Sequence, residues 1–259
     1  MKSPEVLNTY YNQEPSALTV LASKDRGRTF VVDTDYEEID LASIKTERIL
    51  DPEIGRYHNP IVLITGPSSS GKDLLCREAS VATGARSIGS GDLISEIAGV
   101  KNDDVRFMQF SDYYFAKMRA ASVIRDKAPC IINAHLVTKH YLTSSSEEDP
   151  KEVNNPGYIV VEAFEAYVNP MHLVAVVAKP EEIYTWRIDR NLSGTRTSDW
   201  EDADVIARHE RLTIVETYKM ARRLGAGFSI VYNTARVKET AENVRFIASL
   251  VNHAIELAS

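Results

Sequence analysis

The chain has 259 residues, 44% hydrophobic and 26% charged, and a formal net charge of −7. That length supports one sizeable core with an appendage, and the acidic balance argues against a nucleic-acid partner. No apolar run approaches the roughly 18 residues of a membrane span, and Met1-Lys2-Ser3-Pro4-Glu5 leads into no apolar signal region, so the expectation is a soluble cytoplasmic protein with no membrane role.

Residues 1–58 differ in character from the rest of the chain. Ala17 to Ser23 and Arg28 to Asp33 are strand-like, and Lys24-Asp25-Arg26-Gly27 between them reads as the turn of a β-hairpin. Asp35 to Asp40 is acidic, and Asp51 to Pro60 reads as a linker. No chemical motif occurs here. The extension is read as structural, or as a surface for a partner or for a second copy of the chain.

Ile61, Val62, Leu63 and Ile64 form an apolar run of the length of a strand buried on both faces. It ends in Gly66-Pro67-Ser68-Ser69-Ser70-Gly71-Lys72, the pattern G-x-x-x-x-G-K. Small residues let the backbone approach a polyphosphate and aim its N–H groups at it. Leu74, Leu75 and Cys76 open a helix whose N-terminal dipole favours an anion, and Lys72 supplies a mobile positive charge. The residue after the lysine is usually Ser or Thr, whose hydroxyl holds Mg²⁺; here it is Asp73. A carboxylate there either takes part in holding the ion or caps the helix and repels phosphate. The two cysteines, Cys76 and Cys130, lie in apolar contexts and read as buried reduced thiols.

Gly84 to Ile88 is a short strand candidate running into Gly89-Ser90-Gly91-Asp92. Asp92 is placed to cap the next helix, or to contact an acceptor substrate at this glycine-rich edge. Residues 101–128 read as one long helix, with Arg106, Lys117, Arg119 and Arg125 as cations, mostly solvated. Cys130, Ile131 and Ile132 form a second buried strand, with Asn133 and His135 at its carboxyl end. Ligands of open α/β sheets bind beyond the carboxyl ends of strands. Ile159 to Val168 is ambiguous between strand and helix and is assigned helix. His172 to Ala178 is a third buried strand, and Pro180-Glu181-Glu182 opens a helix carrying Arg187 and Arg190, three residues apart and so on one face. Asn191 to Trp200 has the polar makeup of a lid. A long helix from Asp204 to Leu224, a strand from Phe228 to Tyr232 and an amphipathic helix from Glu239 to Leu257 complete the chain. Strands alternating with helices argue for a parallel sheet covered on both faces.

This arrangement resembles the P-loop nucleoside monophosphate kinases, in particular the archaeal-type adenylate kinases, over about residues 60–257. The resemblance rests on GPSSSGKD at 66–73, Gly91-Asp92, Asn133-x-His135, Arg187-Ile188-Asp189-Arg190 followed by Arg196-Thr197-Ser198-Asp199, Arg208-His209-Glu210, and Gly225 before a last strand ending at Asn233. It implies a sheet in the order 2-3-1-4-5, ATP and Mg²⁺ as cofactors, and a lid over ATP and monophosphate sites. By position, Lys72 and the backbone of Gly66 to Gly71 would hold the ATP phosphates. Gly91 and Asp92 would border the monophosphate, with Arg106 on its phosphate. Arg187, Arg190 and Arg196 would clamp the transferring group, and Asn233 would lie near the adenine. Asp73 and Asn133 depart from the family, which tends to have a hydroxyl at the first place and an aspartate at the second. The extension 1–58 is also foreign to its pattern.

The expected fold is therefore an α/β P-loop kinase-like three-layer sandwich over 59–259, with a five-stranded parallel sheet, an arginine-bearing lid at about 189–204 and a small β-rich extension at 1–58. The expected function is ATP-dependent phosphoryl transfer to a small-molecule acceptor, a nucleoside monophosphate with AMP first. The alternatives are a kinase acting on a hydroxyl, with Asp92 as base, and an ATP-binding regulator without turnover.

Overall fold

A computed structural model of the chain describes residues 19–23, 28–32, 49–50, 52, 57–140, 157–160, 162–192, 203–233 and 237–258. The strands are β1 (Thr19–Ser23), β2 (Arg28–Val32), β3 (Ile49–Leu50), β4 (Asn59–Thr65), β5 (Arg86–Gly89), β6 (Cys130–Asn133), β7 (Val137–His140), β8 (Gly157–Val160), β9 (Pro170–Val177) and β10 (Gly227–Tyr232). The helices are α1 (Lys72–Thr83), α2 (Ser90–Ala98), α3 (Phe110–Arg125), α4 (Glu162–Val168), α5 (Pro180–Leu192), α6 (Ala203–Leu224) and α7 (Val237–Ala258), with a 3-10 helix at Asn102–Phe107.

The main sheet runs β3-β10-β9-β4-β6-β5. Strands β10, β9, β4, β6 and β5 are mutually parallel, and β3 adds an antiparallel edge beside β10. Counting β4 as the first parallel strand gives the order 2-3-1-4-5, as the family resemblance implies. Alternation along each strand divides the core. Val62, Ile64, Ile131, Val174 and Val176 face α1 and α7, and Ile61, Leu63 and Ile132 face α3 and α4. Leu173, Ala175, Val177 and Phe228 pack on α6. Both sheet faces are covered, which is why these strands read as continuous apolar runs.

A second sheet runs β1-β2-β8-β7. The expected hairpin at 17–33 is present as β1 and β2, paired antiparallel. It joins an unanticipated hairpin, β7–β8, that lies beyond the carboxyl end of β6.

Three expectations about local structure are corrected. Residues 101–128 do not form one helix, because Met108 and Gln109 are extended between the 3-10 helix and α3. The buried face of α3 runs through Tyr113, Ala116, Ala120 and Ile124. At 100° per residue, a continuous helix would bring Arg106 into phase with that face and leave Val105 about 65° from its centre. The break instead buries Val105 and leaves Arg106 half-exposed. Ile159 and Val160 belong to β8, and the helix begins only at Glu162; β-branched residues favour the strand. Asp92 is not a cap: α2 begins at Ser90 after Gly89, with Asp92 inside its first turn.

Lys117, expected among solvated cations, lies inside the core. Its Nζ is 3.7 Å from Glu165 Oε1, with side-chain exposures of 2% and 0%, and 4.9 Å from the Phe164 ring centroid. Burial pulls the Lys117 pKa down, but the Glu165 carboxylate and Tyr113 outweigh it and hold it above its ordinary value. A raised lysine pKa stabilises fully below its ordinary 10.5 and is lost only in stronger alkali, so the pair persists through neutral pH. Removing one partner strands a buried charge. Glu165→Gln is expected to cost about 3–5 kcal/mol in urea denaturation, and Lys117→Met with Glu165→Leu to recover most of it.

His172 is a different case. Its Nε2 lies 2.8 Å from Ser229 Oγ, and a Cβ on its register partner Gly227 would sit 2.1 Å from Nδ1, so only glycine leaves room for the ring. Burial, with a smaller push from His253, lowers its pKa from 6.5 to about 3. A histidine held neutral in the fold binds its proton more readily when unfolded. Stability therefore falls as pH drops from about 6.5 towards 3, by up to about 1.4 kcal/mol per pH unit. Denaturation midpoints at about pH 7 and about pH 5 should differ less in His172→Gln than in the native chain.

Candidate functional site

The site forms where the parallel strands end. Strand β4 finishes at Thr65, whose Oγ1 accepts the Leu136 N–H at 3.0 Å; the Ala134 N–H donates to the Ile64 carbonyl at 2.9 Å. These bonds fasten the exit of β6 against the exit of β4. The next strand out, β5, ends at Gly89, in register with Asn133.

Residues 66–71 leave β4 as a tight loop. A Cβ on Gly66 would stand 2.4 Å from the Val176 carbonyl oxygen, so the loop can press against β9 only with glycine there. Ser69 has φ +68 and Gly71 φ +85, and Gly71 is the residue before the first turn of α1. A Cβ on Gly71 would lie 2.0 Å from Asn233 Nδ2. Three donors hold the loop carbonyls. Asn233 Nδ2 donates to Ser70 O at 2.8 Å, Arg187 Nη2 to Ser68 O at 3.1 Å, and Lys72 Nζ to Pro67 O at 2.8 Å. In a trans peptide, N–H and C=O point opposite ways. Holding the Ser68 and Ser70 carbonyls towards α5 and β10 thus turns the Ser69 and Gly71 N–H groups to the other side, the arrangement that receives an anion.

Lys72 and Arg187 are each only 4% exposed. Two buried cations from different helices thus converge on one loop. Ser70 Oγ is also buried, with no hydrogen-bond partner among the described residues. A cradle with glycine at its closest approaches, inward N–H groups and a buried hydroxyl fits a polyphosphate. Beside it, Asn133 Nδ2 donates to Asp73 Oδ1. Among the described residues no group of three or more His, Cys, Asp or Glu is placed to hold a metal ion. A Mg²⁺ ion bound with a polyphosphate commonly takes most of its oxygens from phosphate and water.

The β5 side carries Gly91 and Asp92 at the start of α2. The Asp92 carboxylate accepts from Asn102 Nδ2 and curls over the end of β5, where a Cβ on Gly89 would stand 2.6 Å from Asp92 Oδ2. Asp92 and Asn133 therefore sit on neighbouring strand ends. Arg106, on the 3-10 helix, stacks its guanidinium 5.0 Å from the Phe107 ring centroid. His135 is half-buried; its carbonyl accepts from Thr138 Oγ1 at 3.1 Å, which in turn accepts from Tyr113 Oη at 3.2 Å.

Of the residues expected at the site, Gly66 to Asp73, Asn133, Arg187 and Asn233 are brought together. Gly91 and Asp92 follow the end of β5 and His135 the end of β6, while Arg106 lies on the 3-10 helix that packs against α2. Arg190 lies on α5, but its side chain, like Arg196 and the rest of 193–202, is outside the described residues. Asn102 is an addition that sequence reasoning misses, and Glu210, named above only as part of a motif, gains a role. Glu210 Oε2 accepts the Ala178 N–H at 2.9 Å and ties α6 to the end of β9; residue type alone reveals neither contact. Burial pushes the Cys76 and Cys130 thiols up to about 12 each, so both stay protonated and inert at neutral pH. Among the described residues no helix is long and apolar enough to cross a membrane.

No protein-family model and no curated protein matches the chain. Solved structures of similar shape include a shikimate kinase from Bacteroides thetaiotaomicron, at 10% identity and TM-score 0.45, covering 74% of this chain and 98% of that one. The YorR protein of Bacillus subtilis in complex with phosphorylated GDP is similar at 14% identity and TM-score 0.43, with the same coverages of 74% and 98%. A shikimate kinase from Acinetobacter baumannii in complex with shikimate is similar at 11% identity and TM-score 0.42, covering 81% of this chain and 98% of that one.

Gly71→Ala must displace Asn233 and hold alanine at a positive φ. It is expected to cost about 1–3 kcal/mol and to abolish nucleotide-induced stabilisation. Asn233→Ala should cost about 1 kcal/mol and weaken that stabilisation. Thermal denaturation with and without ATP checks both.

Proposed function

We propose that the chain is an ATP-dependent kinase for a small-molecule acceptor, a nucleoside monophosphate first and AMP ahead of other bases. The observation that supports this most is the convergence of buried Lys72 and Arg187 on one glycine loop at the carboxyl end of the central strand. Phosphoryl transfer asks little covalent help of a protein; positioning and neutralisation of spread negative charge dominate.

In this reading the loop N–H groups and Lys72 hold the β- and γ-phosphates. Arg187, joined by Arg190 and Arg196, surrounds the transferring group with fixed charge that cannot be lost to solvent. In the same reading the lid at about 189–204 closes over the site and excludes water. Bound MgATP supplies the phosphoryl group and the charge that bridges its oxygens. Gly91, Asp92 and Arg106 border the acceptor, whose own phosphate is already anionic and needs no strong base.

A second reading has one observation in its favour. Asp92 places an exposed carboxylate beside Asn133, held by Asn102. That disfavours an anionic acceptor and suits a hydroxyl, which benefits from a base.

The test is ADP formation from ATP and Mg²⁺ against a panel of nucleoside monophosphates, nucleosides and polyhydroxy acids. Stimulation by a monophosphate, lost in Lys72→Met, supports the first reading, and Asp92→Asn should then change the rate little. Stimulation only by a hydroxyl compound, with Asp92→Asn slowing it roughly 10²–10⁴-fold, supports the second. ATP binding with no stimulated acceptor would leave a nucleotide-binding regulator and remove both.

A further inference from the structure

We propose that Asp73 and Asn133 together form the divalent-cation station of the nucleotide site, with carboxylate and neutral partner exchanged relative to the usual arrangement. The inference rests on the nucleotide site described above. A nucleotide-binding loop ordinarily carries its hydroxyl on the helix after the lysine. Here the helix carries a carboxylate, and an amide stands at the end of β6, where the resembled kinases tend to carry an aspartate.

The two side chains are in direct contact, with Asn133 Nδ2 donating to Asp73 Oδ1. That bond orients both groups. It uses the amide nitrogen and one carboxylate oxygen, and among the described residues no donor engages Asn133 Oδ1 or Asp73 Oδ2. Two oxygen acceptors therefore stand beside the phosphate cradle, where the buried Ser70 Oγ also lies without a partner among the described residues. Oxygen donors with a single negative charge suit a hard divalent ion that keeps several waters and takes phosphate oxygens as further ligands.

The electrostatics gives the proposal its sign. Asp73 follows Lys72 in the first turn of α1, close to any bound polyphosphate. Without a cation its carboxylate repels the nucleotide; with one, the same carboxylate becomes part of a bridge. A residue serving only the helix dipole would show no such reversal with metal. The pair carries a formal charge of −1, as a hydroxyl with an aspartate would. Asp73→Asn takes it to zero, and Asp73→Ser with Asn133→Asp returns it to −1 in the usual arrangement.

The experiment titrates Mn²⁺, read by its electron paramagnetic resonance signal, into the full chain with the imido analogue of ATP. Calorimetry of the analogue without metal runs in parallel. Asp73→Asn is expected to weaken Mn²⁺ binding roughly 10–100-fold and to tighten binding of the metal-free analogue. The exchanged double variant should regain most of the Mn²⁺ affinity. Circular dichroism and thermal denaturation check that each variant folds, and Asp73→Asn changes neither size nor shape. Unchanged Mn²⁺ affinity in Asp73→Asn, or metal-free binding no tighter than native, overturns the proposal. If the native chain binds Mn²⁺ and analogue as described yet phosphorylates no acceptor, the kinase reading falls and this inference stands. A native chain that binds no nucleotide overturns both.

Discussion

The site depends on one buried hydrogen bond, from the Asn233 side-chain amide to the Ser70 carbonyl, spanning 163 positions of sequence. Its donor leaves β10 already placed, because the Asn233 N–H is bonded to the Val177 carbonyl at 2.8 Å. Its acceptor lies in the loop that leaves β4. The three strands β4, β9 and β10 are adjacent and parallel, so their ends lie side by side and one short amide can join them. Gly71 permits the contact by lacking a Cβ. The loop is thus shaped by the sheet beneath it as much as by its own glycines, and its geometry exists only once β10 has docked.

The same logic explains where charge is tolerated. A cation in the core needs a partner, and Lys117 has Glu165 and two aromatic faces around it. Such a pair is not clear support for stability, since two well-packed apolar residues can serve as well. It does hold α3 to α4, and α3 carries Tyr113, which reaches Thr138 and through it the turn that bears His135. At the site the buried cations Lys72 and Arg187 each donate to a loop carbonyl, of Pro67 and of Ser68. Those bonds fix where the two cationic groups stand relative to the loop.

How far the sequence reveals this depends on the range of each interaction. The phosphate loop, the apolar strands and the helix boundaries at Pro180 and Gly225 are local patterns, and they read directly. The strand order comes from family resemblance, since hydrophobic runs alone carry no order. The break before α3 escapes notice because Met108 and Gln109 carry no breaker signal; the available clue is phase, with Arg106 on the wrong side of a continuous helix. Lys117 reads as solvated because nothing local reveals Glu165. Asn102 beside Asp92, and Asp73 beside Asn133, are pairings that only the fold creates. The latter changes the meaning of both residues: two departures when read singly, one contact when read together.

The two sides of the site differ in charge, and that difference limits the chemistry. The phosphate side gathers Lys72 and Arg187. The β5 side presents Asp92, next to the strand end where Asn133 meets Asp73, while Arg106 stacks on Phe107. On the proposed reading, an anionic acceptor entering there would meet carboxylates first and would need a guanidinium such as that of Arg106. A neutral polyol would meet acceptor oxygens suited to its hydroxyls without that penalty. Coulomb repulsion of about 1–4 kcal/mol between unit charges at 4 Å, depending on exposure, is enough to decide between the two classes. If the proposed acceptor site lies at the β5 edge, its choice of acceptor would be set less by the shape of that edge than by whether a guanidinium reaches it.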